Sequence, residues 1–364
     1  MQQQVLTAFW TLLRAGLWEK DIDELRCFPL SESAWNEIFL IARKQTVTGL
    51  LYRGLFHLPE YFLPSVTVMA RWMVEIDRIE RKNLEMNRKL AVLAGSLEKQ
   101  GLYPILQKGQ GIASLYAYPL LRECGDVDFY FPHREAWEKA NDWMRQKGCT
   151  LQIRPDGSAF YLWKGLKIEH HLQGIDLQSP YLKKYLSGLE ETKGYDWWTI
   201  EDESKSKVRV LVPELNLLML NAHILKHVLG LGIGLRQLCD MARAYNQWHD
   251  RISGEEMKAI YHQCGLNDWS ALLHAFLVQQ LGLPEEKIPA PLPMGSSSEV
   301  LLKKVMSGGN FGFYSVERQK AIRNRRLSKW QTMTAFYRNA RFAWHYAPAE
   351  AFWALVNLVV GQCR

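Results

Sequence analysis

No two cysteines in this chain are spaced as CxxC. The six that occur (Cys27, Cys124, Cys149, Cys239, Cys264 and Cys363) follow no framework pattern. That excludes a zinc ribbon and a disulfide-stapled scaffold, and leaves free thiols of the kind kept in a reducing cytosol. No uninterrupted apolar run reaches about 18 residues, so no membrane span is expected. The opening "MQQQVLTAFWTLLRAGLW" has no basic n-region and no small-residue cleavage site, and reads as an amphipathic helix rather than a signal peptide. There is no HExxH motif, no internal repeat and no low-complexity tract. Proline and serine cluster only in "LPEEKIPAPLPMGSSS". These absences together point to a cytoplasmic globular protein.

What is present is apolar and aromatic. Of 364 residues, 48% are hydrophobic and 23% charged, which suits a packed core and excludes a disordered chain. The 14 tryptophans suggest thick aromatic cores. The net charge of +7 is compatible with a polyanionic ligand without identifying one.

Residues 1–100 read as helical. "SESAWNEIFLIARKQTVTGLLYRGL" opens on a serine cap, and "VTVMARWMVEIDRIERKNLEMNRKLAVLAGSLEKQG" is a longer helix stopped at Gly101. The texture then changes. "LYPILQK" reads as a strand ending at Gly109, "GIASLYAY" as a short helix, and "DVDFYFP" as a strand stopped by Pro132. "REAWEKANDWMRQKG" follows as an amphipathic helix, then "CTLQIR", "AFYLWK" and "LKIEHHL" as three strands. This small unit spans roughly 102–175. After it the pattern is helical again, with Pro213 opening one helix and Pro348 breaking the last pair. The expected fold is α+β, a small mixed sheet embedded in a largely α-helical protein. The expected regions are a helical 1–100, an α+β core 101–200 and a helical 201–364.

Strand side chains alternate, so Asp126 and Asp128 share one face while Val127, Phe129 and Phe131 take the apolar one. Their carboxylates then stand roughly 7 Å apart, within reach of one or two hard cations. Glu169 offers a third carboxylate on a later strand, beside Lys167 and His171. The Lys108-Gly109 turn ends the strand before them, where backbone N–H groups can face a phosphate. Paired acids with a third acid and a glycine turn suit two-metal nucleotidyl transfer; an acidic outer face on an edge strand is the plainer alternative.

The pattern "LQKG…YPLLRECGDVDFYF…KIEHH" resembles the nucleotidyltransferase fold of the polymerase β-like superfamily, and more closely the bacterial family labelled uncharacterised nucleotidyltransferase. The resemblance rests on Lys108-Gly109, Arg122, Gly125-Asp126-Val127-Asp128 and Glu169-His170-His171. Beyond them come His223, Lys226-His227 and Leu235-Arg236…Asp240, so that it covers about 100–245. The turn is Gly109-Gln110 where the superfamily has Gly-Ser or Gly-Gly, and the third acid is Glu rather than Asp.

The resemblance implies transfer of a nucleoside monophosphate from an NTP to a hydroxyl of a small molecule or protein, with Mg²⁺ or Mn²⁺. Asp126, Asp128 and Glu169 would be catalytic and metal-holding, Glu169 either as a ligand or as the base. Lys108, Gly109, Gln110 and Arg122 would meet the triphosphate, Arg122 alternatively bracing the loop. His171, His223, His227, Arg236 and Asp240 would wall the acceptor site. A helical Arg236–Asp240 pair and structural histidines are the plainer readings of the last four. Two alternatives stand beside this: a non-catalytic nucleotide-binding protein with the same fold, and a terminal transferase acting on nucleic acid through "RQKAIRNRRLSKW". That tract reads more simply as a solvated face, which makes nucleic acid an unexpected partner. The oligomeric state is not legible.

Overall fold

The computed structural model of the chain describes residues 2–154, 156–203, 205–230, 232–308 and 339–362. The basic tract at 318–330 and Cys363 lie outside the described residues.

Three helices open the chain: α1 (Gln2–Trp18), α2 (Glu32–Gln45) and α3 (Thr48–Leu55). Ser31 caps α2, its hydroxyl accepting the Ala34 N–H at 3.3 Å. The stretch from 31 to 55 is not one helix as its pattern suggests. Thr46 adopts φ 53°, which ends α2 and lets α3 turn away. Helices α1 and α3 cross at two glycines. A Cβ on Gly16 would stand 1.8 Å from the Leu50 carbonyl oxygen, and one on Gly54 2.1 Å from that of Leu12. Then α4 (Val66–Glu98) runs 33 residues, about 50 Å.

Seven strands form one mixed sheet: β1 (Ile105–Gln107), β2 (Val127–Tyr130), β3 (Gln152–Ile153), β4 (Ala159–Trp163), β5 (Leu166–His171), β6 (Tyr195–Thr199) and β7 (Lys207–Leu211). Their order is β3-β4-β5-β2-β1-β7-β6, with β2–β5 and β1–β7 parallel and the other pairs antiparallel. The α+β unit therefore takes in 105–211. Strands β6 and β7 fall where helical texture is expected, and a boundary at 200 separates two paired strands.

Helices α5 (Gly109–Ala113) and α6 (Arg134–Gln146) lie within the core, and α7 (Leu182–Lys193) precedes β6. After the sheet come α8 (Pro213–Leu229), α9 (Leu235–Trp248), α10 (Gly254–Gln263), α11 (Asn267–Gln279) and α12 (Glu299–Gly308). Residues 339–346 are helical, and the final helix Pro348–Gln362 begins at the proline.

The two sheet faces have different neighbours. Leu106, Val127, Phe129 and Ile168 pack with Met86, Leu90, Leu93 and Leu97 of α4 and with Ala140 and Met144 of α6. Ile105, Tyr130 and Leu211 belong instead to a larger core that runs from Val5 to Ala347 and includes α8 and α9. N-terminal and C-terminal helices thus share one core. Trp18 Nε1 and Arg14 Nε donate to the Leu281 and Gln280 carbonyls across it. The cleft that matters opens between the second face of the sheet and α8–α9.

Candidate active site

The parallel register sets Asp128 beside Glu169 and Tyr130 beside His171. Period-2 alternation then turns Asp128, Glu169 and His171 into the same cleft. One ligand atom from each lies within 4.8 Å of the others, a grouping that can hold a cation. His171 Nε2 stands 2.9 Å from Asp128 Oδ1 and 3.7 Å from Glu169 Oε2. Asp126 lines the same cleft just outside this trio. The structure thus groups His171, expected at the acceptor wall, with two of the three expected acids.

The turn after β1 brings the first cation. Lys108 has φ 51°, uncommon for a side-chain-bearing residue, followed by Gly109 at φ 46°. This conformation accompanies a Lys108 Nζ that lies 3.6 Å from Asp128 Oδ2. Burial alone would raise the Asp128 pKa, but the Lys108 ammonium and the His171 hydrogen bond hold it well below the usual carboxylate range. Asp126 shifts the other way: burial and the Asp128 charge raise it, against the pull of Lys108 and Arg236. Glu169 is also raised, by burial and by Asp128, although Arg154 Nη1 donates to its Oε2 at 2.7 Å. Of these three carboxylates one is thus firmly ionised and two hold protons more readily.

The opposite wall is cationic. Lys226, Arg236, His223 and His227 face the acids from α8 and α9 across a cavity of about 240 Å³. The two histidine rings meet edge to face with centroids 4.4 Å apart. Burial and the Lys108 charge push His223 well below its ordinary pKa, and the same causes with Lys226 bring His227 down to about 3. Both imidazoles are therefore neutral near pH 7 in a strongly positive setting. A polyphosphate would meet ammonium, guanidinium and imidazole on one side and the acids on the other.

Two residues expected at the triphosphate are turned to other tasks. The side chain of Gln110 is buried against α4, its Nε2 donating to Asn87 Oδ1 at 2.5 Å and to the Asn83 carbonyl at 3.3 Å. Of Gln110 only the backbone is left to meet a ligand in the cleft. Arg122 grips Asp240 at both oxygens, Nε to Oδ1 at 2.9 Å and Nη2 to Oδ2 at 2.5 Å. Tyr116 donates to the same carboxylate at 2.7 Å. Of the two roles open to Arg122, bracing the loop is the one its partners match. Asp240 pairs across to Arg122, not along the helix to Arg236, whose Nη1 donates to the Glu123 carbonyl at 2.7 Å.

Arg154, Asp156 and Asp176 also line the cleft and are not among the sequence candidates, and Lys226, part of the sequence pattern without a role of its own, lines it too. Arg154 and Asp156 lie between β3 and β4, and the Arg154 guanidinium reaches Glu169. The "PDGS" turn signal was visible, but not which side chain it would deliver. Asp176 pairs with Lys226 across the mouth.

Comparison with known proteins follows this geometry. A family model described as uncharacterised nucleotidyltransferase matches residues 31–281. Among solved structures, the chain is similar to an antigenic nucleotidyltransferase-like protein from Paracoccidioides brasiliensis. The identity is 13% over 55% of this chain and 93% of that one, with a TM-score of 0.33. No curated protein matches.

Proposed function

Because the chain belongs to the family of uncharacterised nucleotidyltransferases, we propose that it transfers a nucleoside monophosphate from an NTP to a hydroxyl in this cleft, with a divalent cation. The observation that carries the reading is the trio Asp128, Glu169 and His171, one ligand atom of each within 4.8 Å, facing a cationic wall. Two carboxylates and an imidazole suit a hard-to-borderline cation such as Mg²⁺ or Mn²⁺. The raised pKa values of Asp126 and Glu169 mark negative charge crowded into a buried space, which a cation would relieve. When bound, such an ion would screen the phosphates and acidify the acceptor hydroxyl.

The chain's own groups then divide the work. Lys108, Lys226 and Arg236 hold the phosphates, with His223 and His227 able to donate to them. The acceptor oxygen attacks the α-phosphorus, the bond from that phosphorus to the β-bridging oxygen breaks, and pyrophosphate leaves. Glu169, in the same cleft as the attacking oxygen, also receives the hydroxyl proton. Arg154 steadies Glu169 and the Arg122–Asp240 pair fixes the loop leading into β2. The acceptor is a small molecule or a protein side chain rather than nucleic acid.

A second reading, nucleotide binding without transfer, is favoured by one observation: Lys108 and Arg154 already stand against Asp128 and Glu169 as counter-charges. Incubation with α-labelled ATP, GTP, CTP and UTP and Mg²⁺ or Mn²⁺ separates the two. Label transferred to a metabolite pool or to protein, with release of pyrophosphate, supports transfer. Tight NTP binding with neither supports the second reading.

A further inference from the structure

The side chains lining the acidic cleft are charged or polar apart from that of Leu220. It can take phosphates and sugar hydroxyls, and the His223 and His227 rings are the flat faces it offers a base. A second cavity, of about 180 Å³, opens on the other side of Lys108, which lines both. Ile112 of α5 and Leu211 of β7 contribute apolar surface to it. Trp197 and Trp198 of β6 and Trp248 at the end of α9 add three indoles. At its rim Arg251 Nη2 donates to Asp196 Oδ2 at 2.9 Å. Arg209 sits 5.4 Å from the Trp197 ring centre and steadies that ring.

We infer that this cavity receives the base of the donor nucleotide, stacked on Trp248 and Trp197. The inference rests on the transfer-site reading above and extends it to a part of the molecule that reading does not use. Three observations carry it. Position is the first: the order β2-β1-β7-β6 sets β6, which carries Trp197, three strand spacings, about 14 Å, from the strand of Asp128. That is on the scale of a nucleoside held by its phosphates, and Lys108 stands at the junction. Size is the second, since roughly 150 Å³ accepts a benzene ring. Chemistry is the third: indoles and a guanidinium offer flat faces to any base, a mode that tolerates sequence and base identity. The competing site is the His223–His227 pair inside the acidic cleft.

The test compares ATP with inorganic tripolyphosphate, which shares the phosphates and lacks the base. Binding of each is measured for the wild type and for Trp248→Ala, Trp197→Ala and His223→Ala. Trp197 is 49% exposed, so its truncation leaves the core packed even if Trp248→Ala proves unstable in a melting experiment. The expected result is an ATP affinity lowered about tenfold or more in both tryptophan variants, with tripolyphosphate affinity within about twofold of wild type. Equal losses for both ligands, or no loss of ATP in Trp197→Ala, overturn the inference. So does a base-dependent loss confined to His223→Ala. A wild type that binds neither ligand overturns both this inference and the transfer site. ATP binding that ignores the tryptophans removes this inference and leaves that site standing.

Discussion

Arg122 and Asp240, 118 residues apart, form a two-point buried ion pair that ties the loop before β2 to helix α9. Burial works against the Arg122 charge, but Asp240 more than compensates and holds its pKa well above normal. The pair joins the sheet that carries the acids to the helix layer that carries the cations.

Removing one partner should therefore be costly. Asp240→Ala leaves Arg122 buried without its counter-charge, and a loss of about 3–5 kcal/mol is expected. Arg122→Ala with Asp240→Ala should cost less than the sum of the single changes. Urea unfolding of the four proteins in a double-mutant cycle measures the coupling. A coupling energy near zero would reject the tie.

Stability should also fall in acid through His274. Its ring is buried, with Nε2 2.8 Å from the Tyr245 hydroxyl and Tyr261 packed close by. Burial brings its pKa down to about 3 from an ordinary 6.5. Between those values the unfolded chain binds a proton that the folded chain refuses. The folded state therefore loses about 1.4 kcal/mol per pH unit from this group as pH drops from about 6.5 toward 3. Above pH 7 the contribution vanishes. His274→Gln should flatten the pH dependence of the denaturation midpoint by that slope, whatever its effect at neutral pH. An unchanged slope would mean the ring protonates in the folded protein.

The parts of this arrangement legible in the sequence are those with local periodicity. Val127-Asp128 and Ile168-Glu169 declare their faces by alternation, and the sheet keeps them as read, while Asp126 falls one residue before β2. Helices α8 and α9 were legible from Pro213 and from apolar spacing, and with them the wall bearing His223, His227 and Arg236. Strands β6 and β7 were not recognised. "YDWWT" puts polar and indole groups on both faces of an edge strand, and "KVRVL" carries its alternation in only five residues. The partners of Arg122, Gln110 and Arg154 could not be read at all. Each is set by packing between elements far apart in the chain, where spacing carries no information.

Metal preference should expose the role of His171. An imidazole in the trio favours Mn²⁺ over Mg²⁺, since Mg²⁺ prefers oxygen ligands. The wild type should show a larger Mn²⁺-dependent than Mg²⁺-dependent rise in melting temperature with ATP. His171→Ala should shrink the Mn²⁺ response several-fold and the Mg²⁺ response less. Equal reductions would indicate that His171 acts only by orienting Asp128 through their 2.9 Å contact.

Asp126, just before β2, and Asp128, within it, should respond in opposite directions to the same chemical change. Asp126 is raised by burial and by its neighbour's charge, so its ionised form is under repulsion. Asp126→Asn relieves that repulsion, and without metal the folded protein should be equally stable or more so. Asp128 is the reverse case, with Lys108 at 3.6 Å and His171 at 2.9 Å drawing it far down despite burial. A depressed carboxylate contributes stability above its unfolded pKa of about 4 and loses it as pH falls below that value. Asp128→Asn removes this contribution and strands Lys108, at an expected cost of roughly 1.5–3 kcal/mol near pH 7. Both changes should abolish or sharply weaken the cation-dependent part of NTP binding. Denaturant midpoints without metal, and thermal shifts with each NTP and Mg²⁺ or Mn²⁺, check the two halves separately. If Asp126→Asn proves the more destabilising variant, the charge assignment within the cleft is wrong. If both variants keep a full cation-dependent shift, these carboxylates do not hold the metal.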